Sequence, residues 1–324
     1  NHKKQINTCL IKEDNGIYWY IYKFYAIIFI KINSSSLQVL CLYKRGELLM
    51  NQRKPLKELN LLDKFLFDEA MDDPENVKTM LDIILSQNTN LKHPPQTEKE
   101  QRTSMDNRQI RLDVYAIDED DVIYEVEAQK ENTHNLPKRS RLYQGIIDSK
   151  LLPPGVTDFN LLNEVLIVMI TPFDLFGYGL YRYTFQMRCE EVPELKLDDG
   201  ATRIFLNTRG KHPELVSPEL IELLKYMEHS TDEISETCKS KRIQEMHRRI
   251  CQVKASEKTE VKYMQAWEEK LLIKQEGIAE GKQIGVEQIN KLNQRLIEQG
   301  RFEDLTKAAS DKVYQEKLLK EFGI

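Results

Sequence analysis

The sequence has few of the residues that staple small domains or hold soft metals. Among its 324 residues are five cysteines and six histidines. Cys9, Cys41, Cys189, Cys238 and Cys251 are odd in number and form no CxxC pair. They make neither a disulfide framework nor a zinc ribbon, and a reducing, cytoplasmic setting is the simplest expectation. There is no HExxH, and the histidines are scattered, so a histidine-rich metal site is not expected. An excess of basic charge is also missing. The formal net charge is -5, so any nucleic-acid contact must come from a local basic patch.

A long apolar run is absent too. A membrane span takes about 20 mostly apolar residues. The best candidate, residues 17–32 (IYWYIYKFYAIIFIKI), is interrupted by Lys23 and Lys31. Glu13 and Asp14 precede it and no small-residue cleavage site follows, which does not suit a signal peptide. The expectation is that translation starts at the first methionine, Met50, and that residues 1–49 are a spurious upstream extension. A membrane-associated leader is the alternative reading. What is present, 40% hydrophobic and 31% charged residues, suits a soluble globular protein of one large domain with an appendage, or of two domains.

Along the chain, residues 56–90 read as helical. LKELNLLDKFLFDEAM places Leu59, Leu62, Phe65, Leu66 and Phe67 near helical spacing, and Asp73-Pro74 is a stop-and-restart signal before ENVKTMLDIILSQ. Residues 92–109 are polar, contain Pro94 and Pro95, and read as an exposed linker. RQIRLDVYAI and VIYEVEAQ then flank DEDD as a β-hairpin. Pro137 suits the first position of a helix that presents Leu142, Ile146 and Ile147. NEVLIVMIT reads as a strand buried on both faces, followed by strands in YGLYRYTFQM and TRIFLNT. This order predicts a mixed sheet with helices packed on it.

From about Ser217 the chain becomes long, charged and helical. Gly277, Gly281 and Gly285 recur every four residues. Each costs a helix about 1 kcal/mol relative to Ala, so the spacing predicts close helix contact or a flexible joint. The tail from Ile289 reads as two short amphipathic helices broken near Gly300.

The hairpin carries the chemistry. With its turn centred on Asp120, Asp113 lies opposite Glu127. Period-two alternation puts Leu112, Val114 and Ala116 with Val122, Tyr124, Val126 and Ala128 on one face, and Asp113, Glu125, Glu127 and Gln129 on the other. Carboxylates placed across a hairpin repel each other. A cation turns that repulsion into attraction, and oxygen ligands suit Mg²⁺ or Mn²⁺. The same pattern also fits an antiparallel sheet with one wet acidic face. Lys138, Arg139 and Arg141 occupy the first turn of the next helix, where cations oppose the macrodipole unless they meet an anion such as phosphate. His134, nearby, reads as a loop residue.

LDVYAID and VIYEVEAQ, with PKRSRLYQGIID after them, resemble the Rpn family of recombination-promoting nucleases and transposases in the PD-(D/E)xK nuclease superfamily. LLDKFLFDEAM resembles that family's opening helix, LNEVLIVMITPFDLFGYGLYRYTFQMRCEE and DDGATRIFLNTRG its later strands, and LIEQGRFEDLTKAASDKVYQEKLLKEFGI the closing tail. The resemblance runs from about Leu56 to Ile324. It implies an α/β, restriction-endonuclease-like core over residues 50–215, a mixed β-sheet flanked by helices, with a mainly helical C-terminal region at 216–324.

The resemblance also implies metal-dependent DNA cleavage. By position, Asp113 is the first metal-binding carboxylate and Glu127 the second. Gln129 stands where the superfamily motif has Lys; it orients water or bonds a phosphate oxygen but is neither cation nor base. Asp63 matches the acidic position at the start of the opening helix, as a metal ligand or a helix N-cap. Glu69 is an accessory candidate and Glu125 a peripheral acid. Lys138 and Arg139 match the family's Lys-Arg pair, and Arg141 joins them as a DNA contact. Where family members often have Phe-Lys this chain has Phe67-Asp68, which leaves a basic contact absent there.

The expected function is therefore an Mg²⁺-dependent DNA endonuclease (Mn²⁺ as a substitute) linked to recombination or transposition, hydrolysing phosphodiester bonds with metal-activated water. DNA is the expected partner, with no small-molecule cofactor. The C-terminal helices are candidates for homo-oligomer contacts. The alternative is a non-catalytic DNA-binding or assembly protein that keeps the fold, and a strand-rejoining recombinase is a third option without a sequence feature of its own.

Overall fold

Local signals start most of the elements. The computed structural model describes residues 53–101 and 110–324. Expectations for residues 17–32 and for a start at Met50 lie outside them. By its contacts the chain divides into Asn1–Pro55 and Leu56–Ile324, and the elements below belong to the second unit.

Helix α1 spans Lys64–Met71 and α2 spans Pro74–Leu85. Between them the Asp73 side chain accepts the Glu75 N–H, and Pro74 takes the first turn of α2, where a missing N–H costs nothing. Six strands follow in chain order: β1 (Gln96–Gln101), β2 (Ile110–Ile117), β3 (Ile123–Ala128), β4 (Val165–Thr171), β5 (Arg182–Phe185) and β6 (Ala201–Asn207). Helix α3, Leu136–Asp148, lies between β3 and β4. Beyond β6 come α4 (Pro218–Glu228), α5 (Asp232–Thr237), α6 (Lys241–Ala255), α7 (Glu257–Glu298), α8 (Phe302–Ser310) and α9 (Lys312–Phe322). Ser217, Thr231, Ser240 and Ser256 cap α4 to α7 by accepting backbone N–H groups.

The sheet order is β1-β2-β3-β4-β6-β5. The pairs β1/β2, β2/β3 and β5/β6 are antiparallel; β3/β4 and β4/β6 are parallel. This is the mixed sheet flanked by helices that the sequence predicts. β4 is central and parallel to both neighbours, and its apolar run fills both sides of the sheet. Val168 and Ile170 join α1, α2, α4 and α6 on one side, while Ile167 and Met169 join α3 on the other. Burying each such side chain is worth about 1.5–3 kcal/mol.

Two expectations are corrected here. Residues 92–109 are not all linker, because Gln96–Gln101 forms an edge strand on β2. A polar edge strand pairs through its backbone and needs no apolar alternation. The three glycines neither interrupt α7 nor meet a neighbour. The helix runs unbroken over 42 residues, and a Cβ at Gly277, Gly281 or Gly285 finds nothing within 4 Å. The tail breaks at Gly300 (φ +69°), as expected, and again at Asp311, whose side chain caps α9 through the Tyr314 N–H. Among the described residues no helix is long and apolar enough to cross a membrane.

Candidate active site

The hairpin register places the acids. Val114 pairs with Val126, Tyr115 with Glu125, Ala116 with Tyr124 and Ile117 with Ile123, so the turn centres on Asp120 as the alternation requires. Asp118 builds that turn. Its Oδ1 accepts the N–H groups of Asp120 (3.0 Å) and Val122 (2.9 Å), and its Oδ2 accepts the Tyr124 hydroxyl (2.7 Å). Asp121 completes the reversal at φ +62°.

Strict alternation fails at Asp113. Leu112 packs into the core on the α3 side, whereas Val114, two residues on, packs into the core on the α1 side. The β2/β3 ladder stops at Val114. Beyond it the Asp113 carboxylate accepts the Ala128 N–H, a side chain standing where a ladder carbonyl would. The assignment of Leu112 and Val114 to one face is corrected accordingly.

The acids are not on a wet face. Asp113 is 4%, Glu125 0% and Glu127 5% exposed. Basic side chains reach them from opposite layers. Lys64 Nζ of α1 lies 2.5 Å from Asp113 Oδ1 and 3.0 Å from Asp68. Arg139 of α3 forms an ion pair with Glu127 and donates to Gln129 Oε1 at 3.0 Å. Lys64, one helical turn before Asp68, is the basic neighbour of both Asp68 and Asp113. No sequence signal singles out Lys64, apart from its i,i+4 spacing to Asp68.

Glu125 has no such partner. Both of its carboxylate oxygens, and Oε2 of Glu127, are buried without a hydrogen bond. Burial, reinforced by the Asp113 charge, drives the Glu125 carboxyl well above its ordinary range, against the opposing pull of Arg139 and Lys64. Burial also raises Asp113, opposed by Lys64, Arg139 and the Ala128 amide. Burial pushes Asp68 up to about 7, with Lys64 opposing and Asp113 and Glu98 adding to the rise. Burial works against the Lys64 ammonium, yet Asp113 and Asp68 outweigh it and hold it above its usual value.

The remaining candidates surround this group. Asp63 precedes α1, but its side chain makes no capping bond to the helix. It accepts instead from Lys130 (2.5 Å), just beyond β3, and from the Asn60 N–H (2.9 Å). Gln129 extends the β3/β4 ladder through its N–H to Ile170 O, and its side-chain amide donates to Glu131 O at 2.8 Å. Glu69 is tied to Lys262 of α7 at 2.6 Å. Lys138 and Arg141 are exposed on α3, and His134 is an exposed loop residue. Asp113, Glu125 and Glu127 do not converge as a preformed three-ligand cage; among the described residues the three-residue convergence is elsewhere, at Asp232, His247 and Cys251.

Comparison of the chain with protein-family models, curated proteins and solved structures found no match.

Proposed function

We propose that this chain is a metal-dependent DNA endonuclease with a restriction-endonuclease-like core, as its Rpn-like motifs imply. The observation that carries the reading is the burial of Asp113, Glu125 and Glu127 on the two hairpin strands, with both Glu125 oxygens and one Glu127 oxygen buried and unpartnered. Buried acidic oxygens without donors are costly unless a cation or proton meets them. Hard oxygen donors are what Mg²⁺ or Mn²⁺ takes, so the residues fit the ion. Asp113 and Glu127 would hold it, with Asp63 as a further acid. The bound ion would supply positive charge to a phosphoryl oxygen and lower the pKa of a water.

The chain's own groups supply the rest. Gln129 fixes the Arg139 guanidinium and offers an amide to orient water. Arg139 is engaged by Glu127 and Gln129, so it positions these groups. Lys138 and Arg141, exposed on the same helix, are free to meet the DNA backbone. The C-terminal helices would serve homo-oligomer contacts. Plasmid cleavage with and without Mg²⁺ tests the reading. Asp113→Ala and Glu127→Ala should abolish Mg²⁺-dependent nicking while circular dichroism stays native. Full activity in both variants rejects the site.

One observation favours a second reading. Lys64 and Arg139 already neutralise Asp113 and Glu127, which suits a DNA-binding or assembly protein that keeps the fold without cutting. Calorimetric titration with Mg²⁺ separates the two: saturable binding lost in Asp113→Ala supports the enzyme, and no binding even with DNA supports the binding protein.

A further inference from the structure

Away from the acidic group, α5 and α6 bring three different donor types around one point. His247 and Cys251 sit one turn apart on α6, and Asp232 opens α5. Asp232 Oδ1 lies 2.8 Å from His247 Nε2, Cys251 Sγ lies 3.4 Å from the same nitrogen, and Sγ lies 3.9 Å from Asp232 Oδ1. All three ligand atoms fall within 4.8 Å of one another.

This is not the geometry of a nucleophilic triad. In a triad the imidazole bridges, with one ring nitrogen toward the acid and the other toward the nucleophile. Here the carboxylate addresses Nε2, and the thiol lies beside the ring, 3.4 Å from Nε2 and 3.9 Å from Nδ1. The other nitrogen, Nδ1, faces the buried Tyr226 hydroxyl at 2.9 Å. An imidazole that turns one nitrogen to a shared point, and has the other held by a hydrogen-bonding oxygen, is oriented as metal-ligating histidines are.

We propose that Asp232, His247 and Cys251 form a binding site for a divalent transition ion of the Zn²⁺ class, separate from the acidic group on the sheet. One sulfur, one imidazole nitrogen and one carboxylate oxygen are the ligand types zinc takes in tetrahedral sites. Triangle edges of 2.8, 3.4 and 3.9 Å are close to the donor separations around such an ion. The ion would take the Nε2 lone pair, with Nδ1–H donated to the Tyr226 oxygen. Cys251 would bind as thiolate, its proton released to solvent. With three protein ligands, a fourth position remains for water or another ligand. The Asp232 side chain is 82% exposed, so the site opens to solvent. Bound there, the ion ties α5 to α6.

The test uses the full chain stripped by a chelator, then titrated with Zn²⁺ and with Co²⁺ as a spectroscopic probe. The expected result is one tight ion per chain carrying an intense thiolate-to-cobalt charge-transfer band in the near ultraviolet, distinct from any weaker divalent binding at the sheet acids. Cys251→Ser should lose the band and the tight Zn²⁺ binding. Removing a partner behind a ligand costs about 10–100-fold in metal affinity, so Tyr226→Phe should weaken Zn²⁺ by that range. Asp232→Asn, at an exposed position that does not threaten the fold, should also weaken it. Asp113→Ala should leave Zn²⁺ affinity unchanged. The proposal is overturned if the wild type shows no saturable Zn²⁺ binding, if Cys251→Ser and Asp232→Asn bind as the wild type does, or if Asp113→Ala rather than Cys251→Ser removes the ion.

Discussion

Lys64 Nζ and Asp113 Oδ1 lie 2.5 Å apart, although 49 residues separate them in the chain. The contact joins the first turn of α1 to the point where the β2/β3 ladder ends. The buried acids of the hairpin are thus met by cations from separate helices: Asp113 by Lys64 and Glu127 by Arg139. Glu125 has no such partner, and burial shifts its carboxyl well above its ordinary range.

Removing Lys64 isolates a buried carboxylate. Leaving a buried polar group without its partner costs about 1–3 kcal/mol, and more for a charge. Lys64→Met should therefore lower stability by about that amount at neutral pH, read by urea denaturation. If the acids bind a divalent ion, the variant should also bind Mg²⁺ more tightly, since the competing ammonium is gone. Unchanged stability would mean that the ion pair contributes nothing.

Asp68 sets a pH dependence of unusual sign for an acid. Its carboxyl is raised from 3.8 to about 7 by burial, with Lys64 opposing. Between these values the unfolded chain has lost the proton and the folded chain keeps it. Stability from this group is therefore lost as pH rises from about 4 to about 7. Asp68→Asn should flatten that part of the stability profile and raise the melting temperature at pH 7.5, with little effect near pH 3. A wild-type profile that rises as steeply as the variant's through this window would contradict it.

The register of the hairpin and the buried character of β4 were legible because side-chain alternation and an apolar run are local signals. Pairing from Val114 to Ile117 followed from one turn centre, but the expected Asp113–Glu127 pair did not form, because the ladder stops at Val114. The edge strand was not legible, since Gln96–Gln101 is polar and is held through backbone bonds to β2. Lys64 was invisible for a different reason: a long-range ion pair leaves no spacing in the sequence. His247 and Cys251 do carry an i,i+4 spacing, but Asp232 joins them only once α5 folds beside α6. The glycine repeat misled because its cost argued for a purpose, and the helix simply accommodates it.

Those glycines give a clean measure of that cost. Each sits inside α7 with open space where a Cβ would go. Gly→Ala at an unstrained helical position gains about 0.4–1 kcal/mol, chiefly by restricting the unfolded chain. Replacing Gly277, Gly281 and Gly285 together should slow amide exchange across the middle of α7 and leave the sheet unaffected. Faster exchange would show that the glycines serve a contact absent from the isolated chain.

Glu125 separates the enzymatic reading from the structural one. Burial drives its carboxyl well above the ordinary range, favouring the protonated form, and its oxygens have no hydrogen-bond partner. As pH rises from its ordinary value toward the raised one, folding loses stability, because the unfolded chain ionises first. Glu125→Gln preserves the shape without the charge, and should match the wild type in acid but exceed it at alkaline pH. Glu125→Leu replaces an unpartnered buried polar group with an apolar one and should be neutral or stabilising. If the acids form a cation site, both variants should weaken Mg²⁺ binding even as stability holds or rises. A loss of Mg²⁺ affinity with undiminished stability marks Glu125 as kept for the ion, whereas unchanged affinity assigns the cation to Asp113 and Glu127 alone.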